Sequence, residues 1–139
     1  MEGQRPKVGL GVMIKKDGKF LFGRRKSEHA KDLFAPPGGH MEYAEGFIEA
    51  VSREAKEESG LEIQNVRFLC LSNIKDYMPK HYVNIGFIAD WKNGEPQELE
   101  PDKMVDWRWY ELDNIPRPVF SMVDHYIKAI KTGKNFFDA

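Results

Sequence analysis

In the stretch "KVGLGVMIKKDGKFLFGRR" two largely apolar runs flank a polar break, which predicts two strands joined by a turn at 16–19. Asp17-Gly18 is a hairpin signal at that turn. Arg24 to Phe34 reads as a polar loop, and "APPGG" after it as a Pro/Gly stop outside regular structure. A helix is predicted from about Phe47 to Ser59, with Gly60 where a left-handed C-cap is wanted. "IQNVRFLCLS" and "HYVNIGFIADW" read as strands, the second with Val83, Ile85, Phe87 and Ala89 on one face. "WKNGEPQELEPDK" reads as a connection and "VDWRWYEL" as a further strand, closed by "IPRP". Val119, Val123, Ile127 and Ile130 then carry the spacing of a second amphipathic helix, ending near Gly133. This order predicts an α+β fold, a mixed sheet with helices covering its faces as an α/β/α sandwich. With no linker or repeat to divide it, residues 1–139 are expected to form one domain.

The first helix carries an oddity. "REAKEESG" puts Glu54, Glu57 and Glu58 three and four residues apart, on one side of the helix, with two of them in its last turn. That end is the negative pole of the helix dipole, so carboxylates there are unfavourably placed. With Phe47 at zero on a helical wheel, Val51, Ala55 and Ile48 fall at about 40°, 80° and 100°. Glu54, Glu57 and Glu58 fall at about 340°, 280° and 20°, bordering and partly entering the apolar stripe. A solvated acidic face would lie opposite that stripe. Partly buried carboxylates need a cation, and Arg53 alone cannot neutralise three. A hard divalent ion can: Mg²⁺ takes one or two carboxylates together with substrate phosphates and water. Gly38 and Gly39, just upstream, allow a close backbone approach to a ligand. Glu45 lies at the helix start, where the dipole favours an anion, within reach of Arg53.

Charge narrows the partner class. Twenty-one basic and twenty-two acidic side chains leave a net charge of -1, which argues against a nucleic-acid polymer as the main partner and leaves room for a small anionic ligand. Cys70 is the one cysteine, so no intramolecular disulfide forms. Met1 to Val12 has no long apolar stretch and no later run approaches a membrane span. The cytoplasm is the expected compartment, with no membrane partner.

"GHMEYAEGFIEAVSREAKEESGL", Gly39 to Leu61, resembles the Nudix box: Gly, five residues, Glu, seven residues, then Arg-Glu-aliphatic-x-Glu-Glu-x-Gly-aliphatic. Gly39, Glu45, Arg53, Glu54, Glu57, Glu58 and Gly60 supply all seven fixed identities. Ala55 is small for its aliphatic slot, and Gly46 stands where many members carry the serine that caps the helix, a poorer cap. Outside the box, "FLFGRRKS", "FAPPGGHMEY", "HYVNIGF" and "WRWYELDNIP" are similar to the MutT-type branch that acts on nucleoside triphosphates, some of them modified or oxidised.

The resemblance implies a Nudix fold and water attack on the diphosphate bridge of a nucleotide. From a triphosphate the products are the monophosphate and pyrophosphate. It implies Mg²⁺ as cofactor, with Mn²⁺ as a substitute. Glu57 and Glu58 are the main ligands it implies, joined by the Gly38 carbonyl. Glu54 is a third ligand or the base, and Arg53 and Glu45 hold the glutamates in place. Members often recruit one more acid from outside the box, for which Glu100 is the candidate, with Glu98 and Asp102 behind it.

Arg24, Arg25 and Lys26 could bind outer phosphates or form a solvated basic loop, with Arg24 favoured. Phe34 and Tyr82 are candidate base contacts and equally candidates for packing, and Gly39 lies beside the substrate in this reading. Trp107 and Trp109 share a face, and core packing is the expected role of Trp109. His29, His40, His81 and His125 lack paired zinc-ligand spacing. Alternatives stay open: a nucleotide-sugar, ADP-ribose or dinucleoside polyphosphate hydrolase, or a non-catalytic nucleotide sensor. A two-fold homodimer is compatible with a chain of this size.

Overall fold

The computed structural model describes residues 4–138. Strands β1 (Lys7–Lys16) and β2 (Lys19–Arg25) form the expected hairpin, and Asp17 and Gly18 both take the positive φ that its tight turn requires. β3 (Phe34–Ala35) and β4 (Gly38–His40) follow, then α1 (Phe47–Ser59), β5 (Glu62–Tyr77), β6 (Lys80–Asn93), β7 (Met104–Tyr110), α2 (Met122–Thr132) and β8 (Phe136–Phe137).

The strands make one mixed sheet in the order β3-β2-β1-β6-β5-β8, with β4 paired to β1 and β7 to β2. β1 and β6 run parallel through nine partnered residues at its centre. Apolar side chains alternate across the sheet: Val12 joins the core on one side and Met13 the core on the other. The first core takes Ala50, Val51 and Ala55 from α1. The second takes Met122, Val123, Tyr126 and Ala129 from α2. Two helices on opposite faces of a mixed sheet is the expected α+β sandwich.

Three local expectations are corrected. Arg24 and Arg25 belong to β2, not to a loop, because β7 pairs with them across a bulge at 22–24. Gly38 and Gly39 are strand residues too. β4 lies so tightly against β1 that a Cβ on Gly38 would strike the Leu10 carbonyl oxygen, so glycine here permits pairing instead of interrupting it. Val119 precedes α2 and bridges to Phe34. The cap of α1 is better than Gly46 alone suggests, since the Gly46 amide donates to Glu49 Oε1 (3.1 Å), one half of a capping box. Gly60 ends the helix at φ 80°.

Candidate active site

α1 buries its carboxylates more deeply than the wheel implies. The inward face is Ala50, Val51, Ala55, Glu58 and Ser59, while Phe47 and Ile48 are exposed. Glu58 is only 5 % exposed and accepts a hydrogen bond from the Gly38 amide (2.9 Å). That amide is available because Pro37 and Met41 are the neighbouring residues of this segment that bond across to β1: Val12 donates to the Pro37 carbonyl and Met41 donates to the Val8 carbonyl. Gly38, at intervening parity, turns its amide and carbonyl the other way, toward the helix. Glu54 lies beside Gly39, where a Cβ would come within 2.6 Å of its Oε1. Two glycines thus bring bare backbone against one buried and one partly buried carboxylate.

Arg53 organises the rest. Its Nε and Nη2 donate to Glu45 Oε2 (2.6 Å) and Oε1 (3.0 Å). Its Nη1 donates to Glu54 Oε1 (2.9 Å) and Glu57 Oε2 (3.2 Å). The Glu42 amide also donates to Glu45 (3.1 Å). Hydrogen bonding to Arg53 holds the Glu45 carboxyl below the usual range, and the same contact raises Arg53. Burial pushes Glu58 well above the usual carboxylate range; the Gly38 amide opposes this, and the charges of Glu54 and Glu100 add to it. Burial also raises Glu54, against its bonds to Glu58 and Arg53.

These residues fit a divalent cation. Glu58 has no basic partner within salt-bridge distance among the described residues, so its burial as an anion needs positive charge from elsewhere. Glu57 is half exposed and turned toward Arg53. Among the described residues no three acidic, His or Cys side chains converge as a ready-made cage. Buried Glu58, partly buried Glu54, a third carboxylate within reach and the outward Gly38 carbonyl instead suit the open arrangement Mg²⁺ takes when substrate phosphates and water complete its shell. Glu100, half-buried before β7, is close enough for its charge to act on Glu58. Glu98 is engaged elsewhere, accepting from the Asp106 amide (2.8 Å).

A cleft opens beside the carboxylates, its lining including Gly38, Gly39, Glu58, Arg25, His29, Tyr82, Asn84, Phe120 and Tyr126. Tyr82 and His29 stack (centroids 6.0 Å, 29°), and His40 lies 5.7 Å from Tyr82. Arg25 sits 4.4 Å over the Phe120 ring and donates to the His29 carbonyl from Nε and Nη2 (3.2 and 3.0 Å). Burial lowers both Arg25 and His29 from their usual ranges.

The structure separates the candidates. Arg25 and Tyr82 line the cleft; Arg24 does not, being paired with Asp32 (2.7 Å) and Asp106 (3.1 Å). Neighbours on a strand point to opposite faces, so only one of the two arginines can face the cleft. Phe34 packs against the second core and does not line the cleft. Trp107 is buried and donates from Nε1 to the Glu58 carbonyl (3.2 Å), and Trp109 packs on the first core. Sequence reading passed over Asn84, Phe120 and Tyr126. The available signal was glycine inside strands, Gly9 and Gly11 in β1 and Gly86 in β6, which marks close approach of another group.

Comparison with known proteins agrees with this geometry. Residues 4–130 match the NUDIX domain family. The chain is 36 % identical over 116 residues to an ADP-ribose pyrophosphatase of Methanocaldococcus jannaschii, covering 83 % of this chain and 68 % of that protein. It is 29 % identical to the NAD-capped RNA hydrolase NudC of Photorhabdus laumondii, but spans only 39 % of that protein's length. Among solved structures, a MutT NUDIX hydrolase from Burkholderia pseudomallei superposes with a TM-score of 0.86 at 30 % identity, over 91 % of this chain and 99 % of that one.

Proposed function

The chain belongs to the Nudix family, hydrolases of phosphoanhydrides, and from that premise we propose that it hydrolyses a nucleoside triphosphate to the monophosphate and pyrophosphate. The observation that carries this reading is the facing of Glu54 and buried Glu58 against Gly38 and Gly39 beside a cleft lined by aromatic rings.

A nucleoside fits such a cleft through its base: Tyr82, His29 and Phe120 offer ring faces for stacking, worth about 1–3 kcal/mol per base. The phosphates then extend toward α1. Arg25 lines the same cleft and supplies positive charge to them. Water attacks phosphorus, the P–O bond to the leaving group breaks, and the proton lost by water goes to a carboxylate. Glu54 is the base in this reading. Its burial raises its pKa from the usual carboxylate value, the direction that favours a general base. Arg53 and Glu45 fix the orientation of Glu54 and Glu57. Glu57, Glu58 and the Gly38 carbonyl, with Glu100 alongside, would hold Mg²⁺ or Mn²⁺, which supplies positive charge to the phosphate oxygens and acidifies water.

The match to the MutT structure over nearly its whole length supports the triphosphate reading. The 36 % identical ADP-ribose pyrophosphatase favours ADP-ribose as a second. Purified protein is incubated with Mg²⁺ and a panel of ordinary and oxidised nucleoside triphosphates, ADP-ribose, a nucleotide sugar and a dinucleoside polyphosphate, resolving pyrophosphate from phosphate. Monophosphate plus pyrophosphate, abolished by EDTA, is the expected result. Turnover of ADP-ribose alone transfers the site to the second reading, and binding without any turnover points to a sensor.

A further inference from the structure

We propose that Asn84, locked in one orientation by Tyr126, selects bases that present hydrogen-bond acceptors, and so favours 6-oxopurines over 6-aminopurines. This rests on the cleft's being the base site of the proposed reaction.

The floor of the cleft is the parallel pair β1–β6, where Gly9 partners Asn84 and Gly11 partners Gly86. Tyr126 reaches across from α2 and lays its ring on the bare backbone of Gly11 and Gly86, where a Cβ on either residue would collide with it. The ring is fully buried, and burial raises its hydroxyl well above the usual phenol range. The hydroxyl therefore keeps its proton and donates it to Asn84 Oδ1.

That bond fixes the amide. Asn84 carries one acceptor and one two-proton donor; with Oδ1 engaged, what remains for a ligand is Nδ2. No protein acceptor for Nδ2 occurs among the described residues, and Nδ2 is not among the buried atoms left without a partner. Asn84 is buried, 4 % exposed, and its Nδ2 lies over Gly9, 3.3 Å from where a Cβ would stand, so the missing side chain at Gly9 leaves room against it. Gly9 and Asn84 both line the cleft. A free asparagine reads adenine by accepting from N6 while donating to N7. Here the accepting half is occupied, and the donor that remains suits the O6 and N7 acceptors of guanine or hypoxanthine.

The test compares inosine and adenosine triphosphates, which differ at the purine 6-position, by kcat/KM within single preparations, so that a partly folded variant does not distort the ratio. Wild type is expected to prefer the inosine substrate about tenfold, Asn84→Asp to invert the preference, and Tyr126→Phe to bring the ratio toward one while turnover persists. A wild-type ratio near one, or one unchanged in both variants, overturns the proposal. If neither triphosphate is hydrolysed, the reaction assignment fails by itself. Calorimetric titration with inosine and adenosine monophosphates in EDTA then decides the base preference: tighter inosine binding that is lost in Asn84→Asp supports it, and equal binding overturns it.

Discussion

The Glu54 carboxylate occupies the space a side chain on Gly39 would need: a Cβ there would meet Oε1 at 2.6 Å and Oε2 at 2.8 Å. Gly39→Ala should therefore push Glu54 out of register while leaving the fold intact, because the displaced group is a side-chain end. A drop in kcat/KM of about tenfold or more is expected, in line with the sensitivity of catalysis to small misplacements. Gly38→Ala should behave differently, since its clash is with the Leu10 backbone; strain of about 1–3 kcal/mol should appear as a lower Tm. Equal Tm and equal activity in both variants would contradict the geometry.

Glu57 is the exposed member of the acidic set and is turned toward Arg53 (3.2 Å). Glu57→Gln removes a charge without a cavity, so circular dichroism and Tm should stay close to wild type. Turnover should fall by about 100-fold or more, since even partners that only orient ligands cost about 10–100-fold. A folded variant with wild-type kinetics would take Glu57 out of the metal site.

Arg53 spans Glu45, Glu54 and Glu57 with a planar fork. Lysine is a point donor and cannot hold Glu45 through two parallel bonds while bridging the other two. Arg53→Lys should need more Mg²⁺ for half-maximal rate and lose about tenfold in kcat/KM. An unchanged Mg²⁺ requirement would mean that the clamp does not position the glutamates.

Burial raises both Glu54 and Glu58 in the metal-free protein. A carboxyl raised above its unfolded value stabilises the fold fully below that value, about pH 4.3. The contribution is lost as pH rises through the folded pKa. Metal-free protein should thus give up stability at this site as pH rises from the unfolded value through the raised folded values, and a bound cation restores it. The rise in Tm produced by millimolar Mg²⁺ should be larger at the upper end of that range. A rise independent of pH would show that the cation does not discharge this pair.

How much of this was legible depends on the range of the interaction that decides each feature. α1, its Gly60 cap and the hairpin at Asp17-Gly18 follow from neighbours within a few residues, and the sequence pattern located all three. Gly38 and Gly39 looked like a stop because a Pro/Gly run lacks strand propensity. Their placement comes from β1, nearly thirty residues earlier, and from Glu54 and Glu58, further along the chain in α1. The burial of Glu58 in the centre of the inward face, with Ile48 outside it, is likewise set by tertiary packing. Asn84 and Tyr126 meet across 42 residues and three elements. Nothing local announces that contact except glycines at strand positions where side chains are normally wanted.

The two neighbouring arginines of β2 give the sharpest contrast. Arg24 faces Asp32 and Asp106 at the surface, whereas Arg25 lines the cleft, lies 4.4 Å over Phe120 and bonds to the His29 carbonyl. Arg24→Ala should leave KM within about twofold, as exposed ion pairs contribute little. Arg25→Ala removes a cation beside the proposed phosphate path and releases the loop that carries His29, so KM should rise about tenfold or more, the cost of a charge-assisted contact. The increase should shrink at high salt for wild type relative to the variant, because only wild type has an attraction to screen. Steady-state kinetics on both variants with one triphosphate checks the pair, and a KM change confined to Arg24→Ala would put the phosphates on the other face of β2.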